Sequence, residues 1–288
     1  MSSPGTTWVW VDGDLAPERD ARVAALDHGV TVGDGAFETC KVVDGTPFAL
    51  TRHLARLRRS AEVLALRLPW SDADLRAAAE ATVAAAVGDP TNAGAGVGRL
   101  RITVTGGPGP LGSDRGDAPP TLIVAAGPGG PWPATTDVVT VPWARNERSA
   151  VAGAKTTSYA ENVVALAEAH RRGASEAILA NTTGALCEGT GSNVFLVVDG
   201  RLATPTLSTG CLAGITRELV CELLDVEERD DLGLDHLRQA EEAFLTSSTR
   251  DVHPIAHVDG RPLAAVPGTR TTEAVAALAD LQARTLDP

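Results

Sequence analysis

The tripeptide Val-Asp-Gly occurs four times, at 11–13, 43–45, 198–200 and 258–260. An Asp-Gly pair between apolar or β-branched residues signals a hairpin, because the favoured two-residue turn needs positive φ at both central positions. Four such turns in 288 residues commit much of the chain to antiparallel sheet. Their irregular spacing excludes a solenoid of repeats. Further strand patterns fall at 7–11, 36–43, 99–105, 121–126, 138–142, 176–180, 194–198, 202–204 and 243–246. Helical patterns fall at 52–66, 72–87, 159–172, 216–224, 234–239 and 272–283. In the first of these helices Leu54, Leu57, Ala61 and Leu64 share one face. Ser71, ahead of Asp72 and Asp74, reads as the N-cap of the second.

The run Gly-Pro-Gly-Gly-Pro-Trp-Pro at 127–133 cannot be regular structure and reads as a linker. It separates a smaller N-terminal domain, 1–126, from a larger one, 134–288. A second glycine-rich stretch, 106–112, has neither G-x-G-x-x-G spacing nor a Lys-Ser/Thr ending. It reads as a flexible active-site loop rather than a nucleotide cradle. The net charge of −12 makes nucleic acid and anionic membrane poor partners. No apolar run approaches the roughly 18 residues of a membrane span, and the first residues lack the basic start and apolar stretch of a signal peptide. A cytoplasmic protein is therefore expected. Cys40, Cys187, Cys211 and Cys221 form no C-x-x-C pair and lie at no zinc spacing with histidine. They read as reduced, mostly buried thiols, and no metal site is expected.

Only two of the 25 basic residues are lysines, Lys41 and Lys155, and the one tyrosine, Tyr159, follows Lys155 by four positions. Lys155 has Val151, Ala152 and Ala154 upstream, an apolar setting that suits an amine nucleophile. Glu188 lies in Ala-Leu-Cys-Glu-Gly-Thr-Gly-Ser-Asn-Val-Phe, between an apolar strand and a glycine turn, where a carboxylate can hold a protonated ring nitrogen. Leu-Ala-Gly-Ile-Thr-Arg at 212–217 puts a glycine before a helix, whose free N–H groups bind phosphate. Arg52, Arg56, Arg58 and Arg59 share one helix, and an arginine fork fits a phosphate dianion. The run at 244–251 ends a strand in the hydroxyls of Ser247, Ser248 and Thr249. Taken singly, each has a plainer reading: an exposed loop lysine, a turn glutamate, a capped helix, a solvated basic face, a polar turn.

In this order the motifs resemble a family. H-L-x-R-L, K-x-x-S-Y-x-x-N, E-G-T-G-S-N-V-F, G-I-T-R and T-S-S-T are similar to those of the class IV aminotransferases, the fold-type IV pyridoxal-phosphate enzymes, and so is the run Asp27–Glu38. The resemblance spans about Trp8 to Val266. It implies an α+β fold, with a smaller N-terminal α/β domain and a larger β-barrel-like C-terminal domain with helices. It implies pyridoxal 5'-phosphate, with Lys155 as the lysine that carries it and later acts as base. Glu188 matches the acid on the ring nitrogen, Tyr159 the tyrosine beside the phenolic oxygen, and Arg56, Ile215, Thr216 and Ser248 the phosphate contacts. It also implies a homodimer whose active sites are shared between subunits.

Substrate choice is less constrained. Branched-chain aminotransferases of this family place several tyrosines around the substrate, and this chain has one. D-amino-acid aminotransferases have a tyrosine where Phe37 stands and an Arg-x-His pair in the loop that here holds Arg115 without a histidine. Aminodeoxychorismate lyases show G-D-G-x-F, like 33–37 here. Arg101 and Arg115 are the candidates for a substrate carboxylate, with Phe37 and Thr249 as further substrate contacts. The expectation is an aminotransferase moving an amino group from an amino acid, D-amino acids favoured, or a simple amine to a 2-oxo acid. The alternative is a lyase that turns 4-amino-4-deoxychorismate into 4-aminobenzoate and pyruvate.

Overall fold

The computed structural model describes residues 5–94 and 96–288. The chain forms two compact units. The first runs to Pro131 and takes in two later pieces, Ala154–Ser158 and Thr285–Pro288. The second comprises Trp132–Gly153 and Tyr159–Arg284. Lys155 therefore belongs to the first unit, although it lies beyond the linker in sequence.

The first unit contains β1 (Trp8–Val11), β2 (Asp14–Pro17), α1 (His28–Thr31), β3 (Gly35–Val43), β4 (Thr46–Pro47), α2 (Leu50–Val63), α3 (Asp72–Gly88), β5 (Val97–Thr105) and β6 (Thr121–Pro128). Its sheet has the order β2-β1-β6-β5-β3-β4 and is antiparallel throughout. Strand alternation sends Ala36, Cys40, Leu100, Ile102, Val104, Leu122 and Val124 into a core shared with Leu54 and Leu57 of α2 and Leu75 and Val83 of α3. Glu38 lies on that same face, opposite Ile102. Phe37 and Thr39, opposite Thr103 and Arg101, lie on the other. Ser71 caps α3 with a full capping box to Asp74.

The second unit contains β7 (Thr136–Arg145), α4 (Ala160–Arg171), β8 (Glu176–Asn181), β9 (Leu186–Gly189), β10 (Asn193–Val198), β11 (Arg201–Pro205), α5 (Ile215–Leu223), β12 (Glu227–Arg229), α6 (Leu234–Gln239), β13 (Ala243–Ser247), β14 (Asp251–Val258), β15 (Arg261–Pro262) and α7 (Thr269–Arg284). Its mixed sheet runs β12-β11-β10-β13-β14-β7-β8-β9, with β15 on β14. β7 is parallel to both neighbours, and α4 makes the crossover to β8. One sheet face buries Val138, Ile178, Val194, Leu196 and Leu245. The face under α4 buries Val139, Val141, Ala177 and Leu179 against Ala165 and Ala169.

All four Asp-Gly turns are hairpins, joining β1 to β2, β3 to β4, β10 to β11 and β14 to β15. Their aspartates take φ values of 49°, 48°, 52° and 51°, a region that Asp tolerates. The stretch 106–112 differs from the expected loose loop, because it is pinned to α1. His28 N donates to Gly107 O, Gly109 N to Leu26 O, and the His28 ring bonds Pro110 O at 3.0 Å. Gly107 has φ +77°, and a Cβ there would lie 2.0 Å from Pro119 O. The glycine serves close packing rather than mobility.

Candidate active site

In the first unit, the returning piece that holds Lys155 is stitched to the start of β3 and to α2. Phe37 N donates to Lys155 O at 2.9 Å, and Lys155 N donates to Ser60 Oγ at 3.0 Å. Thr157 N donates to Gly35 O at 2.8 Å, and Thr156 bridges Ala36. This fixes the half-buried Lys155 side chain beside Phe37, whose ring is 3% exposed. Lys155 Nζ lies 4.3 Å from the ring centroid, and the Arg101 guanidinium lies over the same ring at 3.6 Å. Both cations are drawn to the negative ring face. The structure thus brings Phe37, Arg101 and Lys155 together.

On the opposite face of β3, Glu38 is fully buried and receives Arg56 Nε at 2.8 Å, Arg56 Nη2 at 2.6 Å and His53 Nδ1 at 2.7 Å. Burial pushes the Glu38 carboxyl up, but the charge and hydrogen bonds of Arg56, with His53, outweigh it and hold the group at about 2. Burial pulls the His53 imidazole below its ordinary value, against its bond to Glu38. Arg56 is the buried arginine of its basic run, and Glu38 sets its orientation. The sequence carried the signal for this partner: His53 and Arg56 lie three apart on α2 and present one face to β3.

Arg115 is not part of this group. Its Nε and Nη2 donate to Asp34 at 2.6 Å each, and its Nη1 and Nη2 also reach the carbonyls of Ala65 and Leu64 at 2.7 Å. Those bonds occupy the fork, so in this structure Arg115 anchors a loop.

In the second unit, Glu188 stands on β9 with Oε2 accepting from Leu212 N at 2.9 Å and Oε1 3.1 Å from Arg145 Nε. The turn after it hangs on buried Glu176, which takes Thr190 N at 3.0 Å, Ser192 Oγ at 3.1 Å and the Thr190 hydroxyl. Leu212 begins the loop into α5. Its carbonyl accepts from Asn193 Nδ2 at 2.8 Å, and a Cβ on Gly214 would lie 2.0 Å from Asn193 Oδ1. Gly214 is the N-cap of α5 and offers no side chain to cap it. The first-turn amides of Ile215 and Thr216 have no intrahelical acceptor, the arrangement that suits an anion. Ser248 and Thr249 lie, half-buried, in the turn from β13 to β14. Just before them, Thr246 Oγ1 is buried without a hydrogen-bond partner. Tyr159 is the half-buried residue preceding α4.

The first unit holds an amine and a buried arginine. The second holds a carboxylate, helix-start amides, hydroxyls and an orphaned buried hydroxyl. Each of these groups has a chemistry that a phosphorylated pyridine aldehyde can use. Among the described residues no cluster of His, Cys, Asp and Glu can hold a metal ion. Burial pushes the Cys187 and Cys211 thiols up, the latter to about 11, so both stay protonated.

Residues 35–258 match the family model described as "Amino-transferase class IV". The chain is 33% identical over 261 residues to a protein of Methanocaldococcus jannaschii named putative branched-chain-amino-acid aminotransferase, covering 88% of each chain. It is 30% identical over 272 residues to a D-alanine aminotransferase of Listeria monocytogenes, again covering 88% of each. Among solved structures it resembles the branched-chain aminotransferase of Thermoproteus uzoniensis with norvaline. There the TM-score is 0.84 and the identity 30%, over 95% of this chain and 94% of that one.

Proposed function

This chain belongs to the class IV aminotransferases, and from that premise we propose that it moves the amino group of an aliphatic α-amino acid to a 2-oxo acid. It is an aminotransferase of the fold-type IV class, and its cofactor is pyridoxal 5'-phosphate. When bound, that cofactor supplies an aldehyde for the donor's amine and a ring that accepts the electron pair released at the substrate carbon. Lys155 Nζ would hold it covalently and, once displaced by the donor, would take the proton from that substrate carbon and deliver it to the carbon of the former aldehyde, so that the amino group stays behind when the keto acid leaves. Glu188 keeps the proton on the ring nitrogen. Arg56, oriented by Glu38, holds the phosphate with the amides of Ile215 and Thr216 and the Ser248 hydroxyl. Tyr159 would hold the phenolic oxygen. Arg101, stacked on Phe37, receives the substrate carboxylate, and Thr249 is a further substrate contact.

The observation that carries this reading is the pair of cations on one ring. The reacting amine and a guanidinium fitted to a carboxylate both stand against Phe37, at 4.3 and 3.6 Å. Branched-chain donors come first, because both the Methanocaldococcus and the Thermoproteus proteins carry that name. D-amino acids are the second reading, favoured by the 30% identity to a D-alanine aminotransferase; the single tyrosine counts against the branched-chain reading. All three named relatives are aminotransferases, which favours transfer over elimination of 4-amino-4-deoxychorismate.

A donor panel of L-leucine, L-valine, D-alanine and an amine lacking a carboxylate, with 2-oxoglutarate as acceptor, tests the proposal in the wild type and in Arg101→Leu. L-Leucine and L-valine are expected to be the best donors. Loss of a charge-assisted hydrogen bond is worth about 1.5–3 kcal/mol. Arg101→Leu should therefore cost the amino acids at least about tenfold more in kcat/KM than it costs the plain amine. Equal losses for all donors would remove Arg101 from carboxylate binding. Exclusive turnover of D-alanine would replace the first reading with the second.

A further inference from the structure

We infer that Arg145 is a positioning residue that keeps Glu188 ionised and aimed, an inference that rests on Glu188 being the partner of the cofactor's ring nitrogen. Arg145 Nε lies 3.1 Å from Glu188 Oε1. Its N–H does not point along that line, and Nε is buried with no hydrogen-bond partner. The contact is therefore one of charge, not an aligned hydrogen bond. The guanidinium is braced on its other side, where Nη1 donates to Asn162 Oδ1 at 3.1 Å. Buried Asn162 in turn donates its amide to Thr190 O, and Thr190 hangs on Glu176. Arg145, Asn162, Thr190 and Glu176 thus form one chain of contacts around the turn that follows Glu188. Asn162 closes the K-x-x-S-Y-x-x-N motif, and this chain gives it a physical task.

The groups that face Glu188 come from several elements. Arg145 approaches from β7, and exposed Glu161 of α4 lies 3.8 Å from its guanidinium. Cys187 precedes Glu188 on β9, and Cys211 precedes Leu212, whose N–H bonds Oε2. Both thiols are neutral, pushed up by burial, and the Leu212 amide carries no charge. Arg145 is the cation that these contacts place against Glu188. An opposite charge within ~4–6 Å favours the ionised form of a carboxylate, and its removal reverses that by roughly 1–3 pH units. Without Arg145, Glu188 would take up a proton at a higher pH, and a neutral acid does not hold a proton on the ring nitrogen.

The test compares wild type, Arg145→Met, Arg145→Lys and Glu188→Gln, each loaded with pyridoxal 5'-phosphate. The absorbance of the bound cofactor is followed against pH, with its dissociation constant measured by fluorescence and thermal unfolding recorded beside both. Arg145→Met should move the acid limb of the absorbance titration up by about one pH unit or more. Arg145→Lys, which keeps the charge, should bring most of it back. An Arg145→Met titration that overlays the wild type overturns the inference, however much the variant loses in stability. If Arg145→Met does not fold, the lysine variant decides: a limb displaced as far as that of Glu188→Gln overturns the role of charge, and a limb near the wild type supports it. Glu188→Gln separates the two levels. If it keeps wild-type turnover and titration, the reading of Glu188 itself fails. If it loses turnover by a hundredfold or more while Arg145→Met shifts nothing, only the inference about Arg145 fails.

Discussion

Glu38 is a carboxylate with no access to solvent, and it stays ionised because His53 and Arg56, neighbours on α2, satisfy both of its oxygens. A lone buried charge would be neutralised instead. The same pairing costs Arg56 no reach, because Glu38 occupies Nε and Nη2 and fixes the plane of the fork. Stability follows pH from this residue. The folded-state carboxyl is depressed from 4.5 to about 2. Its contribution is therefore full above the unfolded value, near 4.5, and is lost as pH falls toward 2. At roughly 1.4 kcal/mol per unit the loss is on the order of 3 kcal/mol. His53, whose folded value is lowered by burial, adds to the acid loss from about pH 6.5 downward, because the unfolded chain binds its proton first. Urea unfolding of the wild type between pH 6.5 and 3 should show both losses. Glu38→Gln should be weaker at pH 6.5, with Arg56 deprived of this carboxylate, and should lack the part of the slope below 4.5. Parallel slopes in the two proteins would refute this account of Glu38.

At the scale of elements, what was legible in the sequence had a local cause. The four hairpins were readable because Asp-Gly demands its own backbone conformation, whatever packs around it. α2, α3 and α6 were readable from periodicity and, at Ser71, from a cap. β14 was not, because Pro254 sits mid-strand and breaks the pattern that identifies a strand, although the hairpin at its end was seen. β9 and β12 are too short, at four and three residues, to show alternation. No local signal announces that Ala154–Ser158 rejoins the first unit, since what draws it there is pairing with β3 and with Ser60 of α2. The site divides in the same way. Lys155 and Glu188 stood out by scarcity and by motif. Arg145 did not, because its link to Glu188 depends on β7 and β9 flanking β8 in the same sheet.

At the scale of the molecule, a charge of −12 makes nucleic acid a poor partner, and among the described residues no helix is long and apolar enough to cross a membrane. The assembled enzyme is proposed as a homodimer; light scattering should give twice the chain mass of 29.7 kDa, and the single-chain mass at micromolar concentration would contradict that. The role of Lys155 is tested most directly on the whole holoenzyme. It is reduced with borohydride, cut with trypsin and read by mass spectrometry. With two lysines in the chain the answer is binary. The pyridoxyl mass is expected on the peptide 149–171, left uncut at Lys155 by the modification. A label on Lys41 instead, or no covalent label on either amine, would contradict it.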